Sequence, residues 1–182
     1  MPINSDKPHL WKADVAQSID FYNDWFLRFA PGTPQFFMLK KWLVRHGYKQ
    51  IGYDEAAVLD AMPVGTFAFR PAVSIGKKKT SANIPVDCVV KPFSTNKTLL
   101  PIIIEAKLSI GTTNAIRSAK KDARKFITLK AYYEDKVKFI LLLCGYFDGY
   151  YLGPQAAEGI DWVWQHRLED LCRLLTGARK TC

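Results

Sequence analysis

Two apolar segments on either side of a long amphipathic segment constrain the fold of this chain most strongly. The first is LPIIIEAK at 100–107, and the second is VKFILLLCGYF at 137–147, a run too long and too apolar for a surface strand. Between them, residues 113–133 carry apolar side chains such as Ile116 and Phe126 at helical spacing. A helix between two buried strands is the crossover that joins parallel strands. The pattern therefore predicts a strand–helix–strand unit.

The rest of the chain predicts further helices and strands around this unit. Helical spacing of apolar residues predicts helices over 12–30, 36–46, 53–61 and 161–175. Two more strands are predicted at TFAFRPAV (66–73) and NIPVDCVV (83–90). This order predicts an α/β fold in which a mixed β-sheet is flanked by helices. We expect one compact domain, with an N-terminal helical region over 1–62 and a core over 63–182 that ends in a helix.

The charge balance indicates a polyanionic partner. The chain has 26 Lys and Arg against 17 Asp and Glu, a net charge of +9 and a pI near 9.4. Nucleic acid is the usual partner of such a domain, although a basic protein can also be simply soluble. The four cysteines lack the paired spacing of a zinc site, and the three histidines are scattered. Because no signal or membrane-spanning segment is visible, we expect a cytoplasmic protein without a membrane partner.

Charged side chains within the apolar strands are the main functional signal. Glu105 and Lys107 point to one side of their strand, while Ala106 faces the core. If the two segments pair, Asp87 approaches Glu105, and a divalent cation would relieve the repulsion between the carboxylates. Hard oxygen ligands suit Mg²⁺, with Mn²⁺ as a substitute, and the backbone carbonyl of Ala106 is a further candidate ligand. Lys107 would then orient or deprotonate a water. The alternative is a set of salt-bridged residues at strand ends.

These residues also resemble a known catalytic motif. Asp87 followed by Glu105-Ala106-Lys107 is similar to the site of the PD-(D/E)xK nuclease superfamily, with PVD in place of PD. Longer stretches resemble XamI-type type II restriction endonucleases: DKPHLWKADVAQSIDFYNDWFLRFAP, NIPVDCVV, LPIIIEAK and LLLCGYFDGYYLGPQAAEGIDWVWQHRLEDL. The resemblance implies a restriction endonuclease-like fold and Mg²⁺-dependent cleavage of double-stranded DNA at a short specific site. It also implies a cognate DNA methyltransferase, and cutting at a palindrome implies a homodimer.

The chain departs from that family in two respects. Family members are longer, with a large, mainly helical segment after RFAP that this chain lacks. In addition, EAKLSIGTTNAIR contains no acidic residue shortly after the lysine, where we would expect one.

Other residues are candidates for supporting roles. Because superfamily members often bring a helix acid to the metal, Glu55 is a candidate catalytic residue, with a solvated surface acid as the alternative. Basic and polar residues that would contact DNA are Lys77, Lys78, Lys79, Asn114, Arg117, Lys121 and Arg124. The alternatives are helix capping for Asn114 and solvated charge for the others.

Three functions remain open on the sequence alone. The first is a type II restriction endonuclease, and the second is a less specific nicking or repair-type endonuclease that uses the same residues. The third is a DNA-binding remnant of a nuclease that no longer cuts.

Overall fold

The computed structural model of the chain describes residues 34–76, 82–93, 100–109, 112–145, 152–164 and 167–176. The helix predicted over 12–30 lies outside these residues. The helices are α1 (Pro34–Arg45), α2 (Thr112–Tyr133), α3 (Pro154–Ala157) and α4 (Glu169–Thr176). The strands are β1 (Lys49–Gln50), β2 (Thr66–Phe69), β3 (Ala72–Ile75), β4 (Ala82–Pro85), β5 (Cys88–Lys91), β6 (Ile102–Ser109), β7 (Lys138–Gly145) and β8 (Ile160–Trp164).

A six-stranded mixed sheet organises the described part of the chain. Its order is β1-β2-β5-β6-β7-β8, and β3 pairs with β4 in a separate two-stranded sheet. β6, β7 and β8 are parallel, whereas β5 is antiparallel to both β6 and β2. The predicted α/β class and the parallel unit β6-α2-β7 are therefore confirmed. Within the described ranges, none of the helices has the length and apolar character needed to cross a bilayer.

Alternation along β6 determines which side chains meet which helix. Ile103 shares one buried core with Phe126 of α2, whereas Ile104 shares the other with Leu43 of α1 and Leu171 of α4. Successive strand residues point to opposite faces, so Glu105 lies on the α2 side together with Ile103. The strand thus directs an acid against a helix whose exposed surface is basic.

The helix predicted over 161–175 is wrong in its first part. Residues 160–164 form β8, which pairs in parallel with β7, and the helix begins only at Glu169. A short apolar run such as IDWVW fits both a helical and a strand period, and pairing with a buried strand decides between them. Trp164 is 1% exposed as a result.

The helix predicted over 53–61 is also wrong, apart from a 3-10 turn at Leu59–Ala61. The carbonyl of Ala57 accepts a hydrogen bond from the Ser74 amide of β3, at 3.0 Å, instead of a helical N–H. Buried Ala56 and Leu59 hold this segment against the core. Tertiary contacts therefore replace the local helical hydrogen bonds.

Each of the predicted strands 66–73 and 83–90 is divided between the two sheets. The division falls at Arg70 in the first segment and at Asp87 in the second, and the Arg70 amide donates a hydrogen bond to the Asp87 carbonyl at 2.9 Å. Val86 N–H donates to the Pro71 carbonyl at 3.0 Å, which fixes the crossing. Asp87 consequently lies just before β5, where its side chain can turn towards β6.

Candidate active site

The structure brings together the three charged residues singled out from the sequence. Oδ2 of Asp87 accepts a hydrogen bond from the backbone amide of Ala106 at 2.9 Å, which places its carboxylate beside β6. Nζ of Lys107 lies 3.3 Å from Oε2 of Glu105. The predicted orientation of Ala106 is confirmed, because it is buried in the core on the opposite face from Glu105.

Glu105 is a completely buried carboxylate with two lysine partners. Its side chain is 0% exposed, and Nζ of Lys125 donates to Oε1 at 2.8 Å while Lys107 contacts Oε2. Burial raises the pKa of Glu105 and the nearby Asp87 charge raises it further, whereas Lys107 and Lys125 oppose that shift. A buried carboxylate is unfavourable without such partners. The two ammonium groups therefore supply the positive charge that the buried Glu105 carboxylate requires.

Asp122 of α2 completes the cluster, and the sequence reasoning missed it. Its Oδ1 lies 2.9 Å from Nζ of Lys107, and Asp122 is 2% exposed. Burial alone would lower the pKa of Lys107, but the charges of Glu105 and Asp122 outweigh it and raise that pKa. Asp122 lies three residues after Ala119 and four before Phe126, within the buried face of α2. An acid on the apolar face of a predicted helix is the signal that could have identified it.

Two charged residues of β6 form ion pairs with two charged residues of α2. Glu105 and Lys107 are two apart on a strand, and Asp122 and Lys125 are three apart on a helix, so each pair lies on one side of its element. Lys125 contacts Glu105, and Asp122 contacts Lys107. This arrangement fixes the lysine of the strand between two carboxylates.

These residues line an open cleft of about 370 Å³. Arg70, Ser118 and Lys121 lie around it, together with Asp87 and Lys107. A basic lining with carboxylates within it is what a phosphodiester substrate and a divalent cation together require.

Arg70 is a second residue that the sequence reasoning missed. Its φ of 53° lies in the left-handed region, which is unfavourable for a side chain with a Cβ. Its guanidinium carbon lies 5.4 Å from the centre of the Phe36 ring of α1, and the residue is among those that line the cleft. An unusual backbone conformation at the edge of a charged cleft is typical of a functional residue.

Comparison with known proteins identifies the family to which this chain belongs. The model of the XamI restriction endonuclease family matches residues 27–164, which include the whole cleft. The chain belongs to this family. It is also 40% identical, over 148 residues, to the type II restriction enzyme SalI of Streptomyces albus G. That match covers 81% of this chain and 47% of the relative, so the chain spans about half the length of this curated relative. No solved structure matches.

The donor set in this member of the XamI family fits a hard divalent cation. Among the described residues, no three or more His, Cys, Asp or Glu side chains group as a metal site. Asp87 and Glu105 are nevertheless close enough for the charge of one to raise the pKa of the other. Mg²⁺ commonly binds through one or two carboxylates and keeps several waters. The residues present therefore suit Mg²⁺, with the Ala106 carbonyl as the additional oxygen proposed from the sequence.

The remaining residues predicted from the sequence differ in whether they line this cleft. Glu55 is exposed, accepts a hydrogen bond from the Gly52 amide at 3.0 Å and is not among the residues that line the cleft. Arg117, Lys121 and Arg124 are exposed on α2. Asn114 lies in the first turn of α2, but its side chain is outside the described part of the chain, as are the residues Lys77, Lys78 and Lys79.

Proposed function

We propose that this protein is a Mg²⁺-dependent type II restriction endonuclease that hydrolyses phosphodiester bonds of double-stranded DNA at a short specific site. The observation that supports the proposal is the meeting of Asp87, Glu105 and Lys107 in an open basic cleft. Membership of the XamI family supports the restriction-type activity and the DNA substrate.

The proposed roles follow from the chemistry of each group. Asp87 and Glu105, with the Ala106 carbonyl, would hold Mg²⁺, which when bound polarises the scissile phosphate and acidifies a water. Lys107 orients the attacking water and offsets negative charge that develops on the phosphate. Asp122 holds the ammonium of Lys107 at 2.9 Å, so that this group is already in place before DNA binds.

The DNA partner is proposed from the surface beside the cleft. Lys121 lines the cleft itself, and Arg117 and Arg124 are exposed on the same helix at a spacing that places them near it. These side chains would contact backbone phosphates and position the duplex without reading its bases. A homodimer would place one cleft on each strand of a palindrome. A cognate methyltransferase that protects host DNA is the expected genetic partner, and both would act in the cytoplasm.

Digestion of supercoiled plasmid tests this proposal. We expect discrete linear fragments with Mg²⁺ or Mn²⁺ and intact plasmid with EDTA, and sequencing the fragment ends would give the site. Nicked circles or smears that require the metal would instead indicate a less specific nuclease. Plasmid that is shifted on a gel but never cut would contradict the catalytic proposal and leave a DNA-binding protein.

A further inference from the structure

Both oxygens of the buried Glu105 carboxylate already have a cationic partner. Lys125 Nζ lies 2.8 Å from Oε1, and Lys107 Nζ lies 3.3 Å from Oε2. A divalent cation that binds Glu105 must therefore share a small, fully buried carboxylate with two ammonium groups. Like charges at such distances repel strongly where water is excluded.

The two lysines differ in whether they keep a carboxylate partner when a metal ion binds Glu105. Lys107 has a second carboxylate partner, Asp122, at the shorter distance of 2.9 Å, so it stays paired without Glu105. Among the residues that the structure describes, Glu105 is the carboxylate partner of the Lys125 ammonium. The side chain of Lys125 is 16% exposed and lines the open cleft, so its ammonium has space into which it can turn.

We propose that Lys125 is a resident counter-ion that neutralises Glu105 before the metal arrives and competes with the metal for that carboxylate. This inference rests on the proposed metal site and assigns a role to a residue of α2 outside the catalytic set. When the metal binds, Lys125 leaves Glu105 and its ammonium becomes available in the cleft where a DNA phosphate would lie. Lys125 is a positioning residue in this scheme and not a metal ligand.

The inference is tested by the affinity of the full chain for Mn²⁺ in the absence of DNA, with free Mn²⁺ measured by its EPR signal. We expect the Lys125→Gln variant to bind Mn²⁺ about tenfold more tightly than the wild type, because a competing cation has been removed. Lys125→Arg keeps the charge and should bind as weakly as the wild type. Lys121→Gln removes the same charge from an exposed position in the same cleft and should change the Kd by less than about threefold.

A second measurement uses thermal unfolding, which reports on folding and metal linkage together. Without metal, Lys125→Gln should melt at a lower temperature than the wild type, because Glu105 remains buried with one counter-ion fewer. Saturating Mn²⁺ should raise its melting temperature by more than it raises that of the wild type.

The possible results separate the two levels of the proposal. Equal or weaker Mn²⁺ binding by Lys125→Gln, with wild-type binding intact, would overturn the role of Lys125 and leave the metal site standing. Absence of Mn²⁺ binding from wild type and all variants would overturn the proposed metal site itself. An equal gain in affinity in Lys121→Gln would show a general effect of charge and would also contradict a specific role for Lys125.

Discussion

Single residues of α2 hold the charged side chains of β6 in place at the cleft. Lys107 lies between Glu105 of its own strand and Asp122 of α2, and Lys125 approaches Glu105 from the same helix. The sequence predicted Asp87, Glu105 and Lys107, because charges in apolar strands are conspicuous. Asp122 and Lys125 could not be predicted as partners, because the register between a helix and a strand is set by packing and not by sequence spacing.

Replacement of Asp122 tests whether the position of Lys107 matters. Asp122→Asn removes the charge that holds Nζ of Lys107, and we expect the single-turnover rate of DNA cleavage to fall about 10- to 100-fold. Affinity for DNA should change little, and Asp122→Glu should restore part of the rate. The exposed acid Asp135 provides the control, since Asp135→Asn should cut at the wild-type rate. A rate unchanged in Asp122→Asn would refute the positioning role.

The backbone of Arg70 allows a test of strain. At a φ of 53°, Arg70→Gly removes the steric conflict of a Cβ, whereas Arg70→Ala keeps it, and both remove the contact with Phe36. We expect the glycine variant to unfold with a free energy about 0.5–1 kcal/mol higher than the alanine variant in urea titrations. Equal stabilities would mean that this backbone carries no strain. Weaker DNA binding by both variants would indicate that the guanidinium contacts the substrate.

At the scale of elements, the spacing of apolar residues predicted the helices whose formation depends mainly on local sequence. α1 and α2 form close to where apolar spacing placed them, and Gly47, with a φ of 84°, follows α1 in the left-handed conformation common after a helix end. Residues 160–164 were predicted as helix, because IDWVW suits either period until it can pair with β7. The division of two strands between two sheets was equally invisible, since each segment is continuous in sequence.

Lys130 connects α2 to the short helix α3. Its Nζ donates to the carbonyls of Gln155, Ala156 and Glu158 at 2.7, 3.0 and 2.8 Å, which satisfies groups at the end of α3. We expect Lys130→Met to lower the free energy of unfolding by about 1–2 kcal/mol, measured in urea at pH 7. Lys120→Met, at an exposed position of the same helix, should change it by less than about 0.5 kcal/mol. Similar losses in both variants would contradict a capping role.

At the scale of the whole molecule, the distribution of charge indicates how DNA would approach. The net charge is +9, and the exposed basic residues of α2 lie on the face of the sheet that carries the cleft. α1 packs against the opposite face, through Leu39 and Leu43. Binding by phosphate contacts alone should therefore be confined to the α2 side, although composition gave no indication of which side that is.

Salt dependence of DNA binding distinguishes the two faces. Combined replacement of Arg117, Lys121 and Arg124 by Gln should reduce the slope of log K against log salt by about 2–3, at about 0.9 per phosphate contact. The matched control replaces three exposed basic residues of α1, which packs on the opposite face, Lys40, Lys41 and Arg45, and should change the slope by less than about 1. Fluorescence anisotropy in EDTA measures both. Equal changes in the two variants would place the DNA elsewhere.

The most direct test of the central claim is to measure cutting and binding separately in one variant of the cleft. Lys107→Ala should reduce the single-turnover rate of Mg²⁺-dependent DNA cleavage by about 100-fold or more, while its affinity for DNA stays within about threefold of the wild type. Lys136→Ala, an exposed lysine outside the cleft, should leave both unchanged. If Lys107→Ala cuts DNA at the wild-type rate, the cleft formed by Asp87, Glu105 and Lys107 is not where the chemistry occurs.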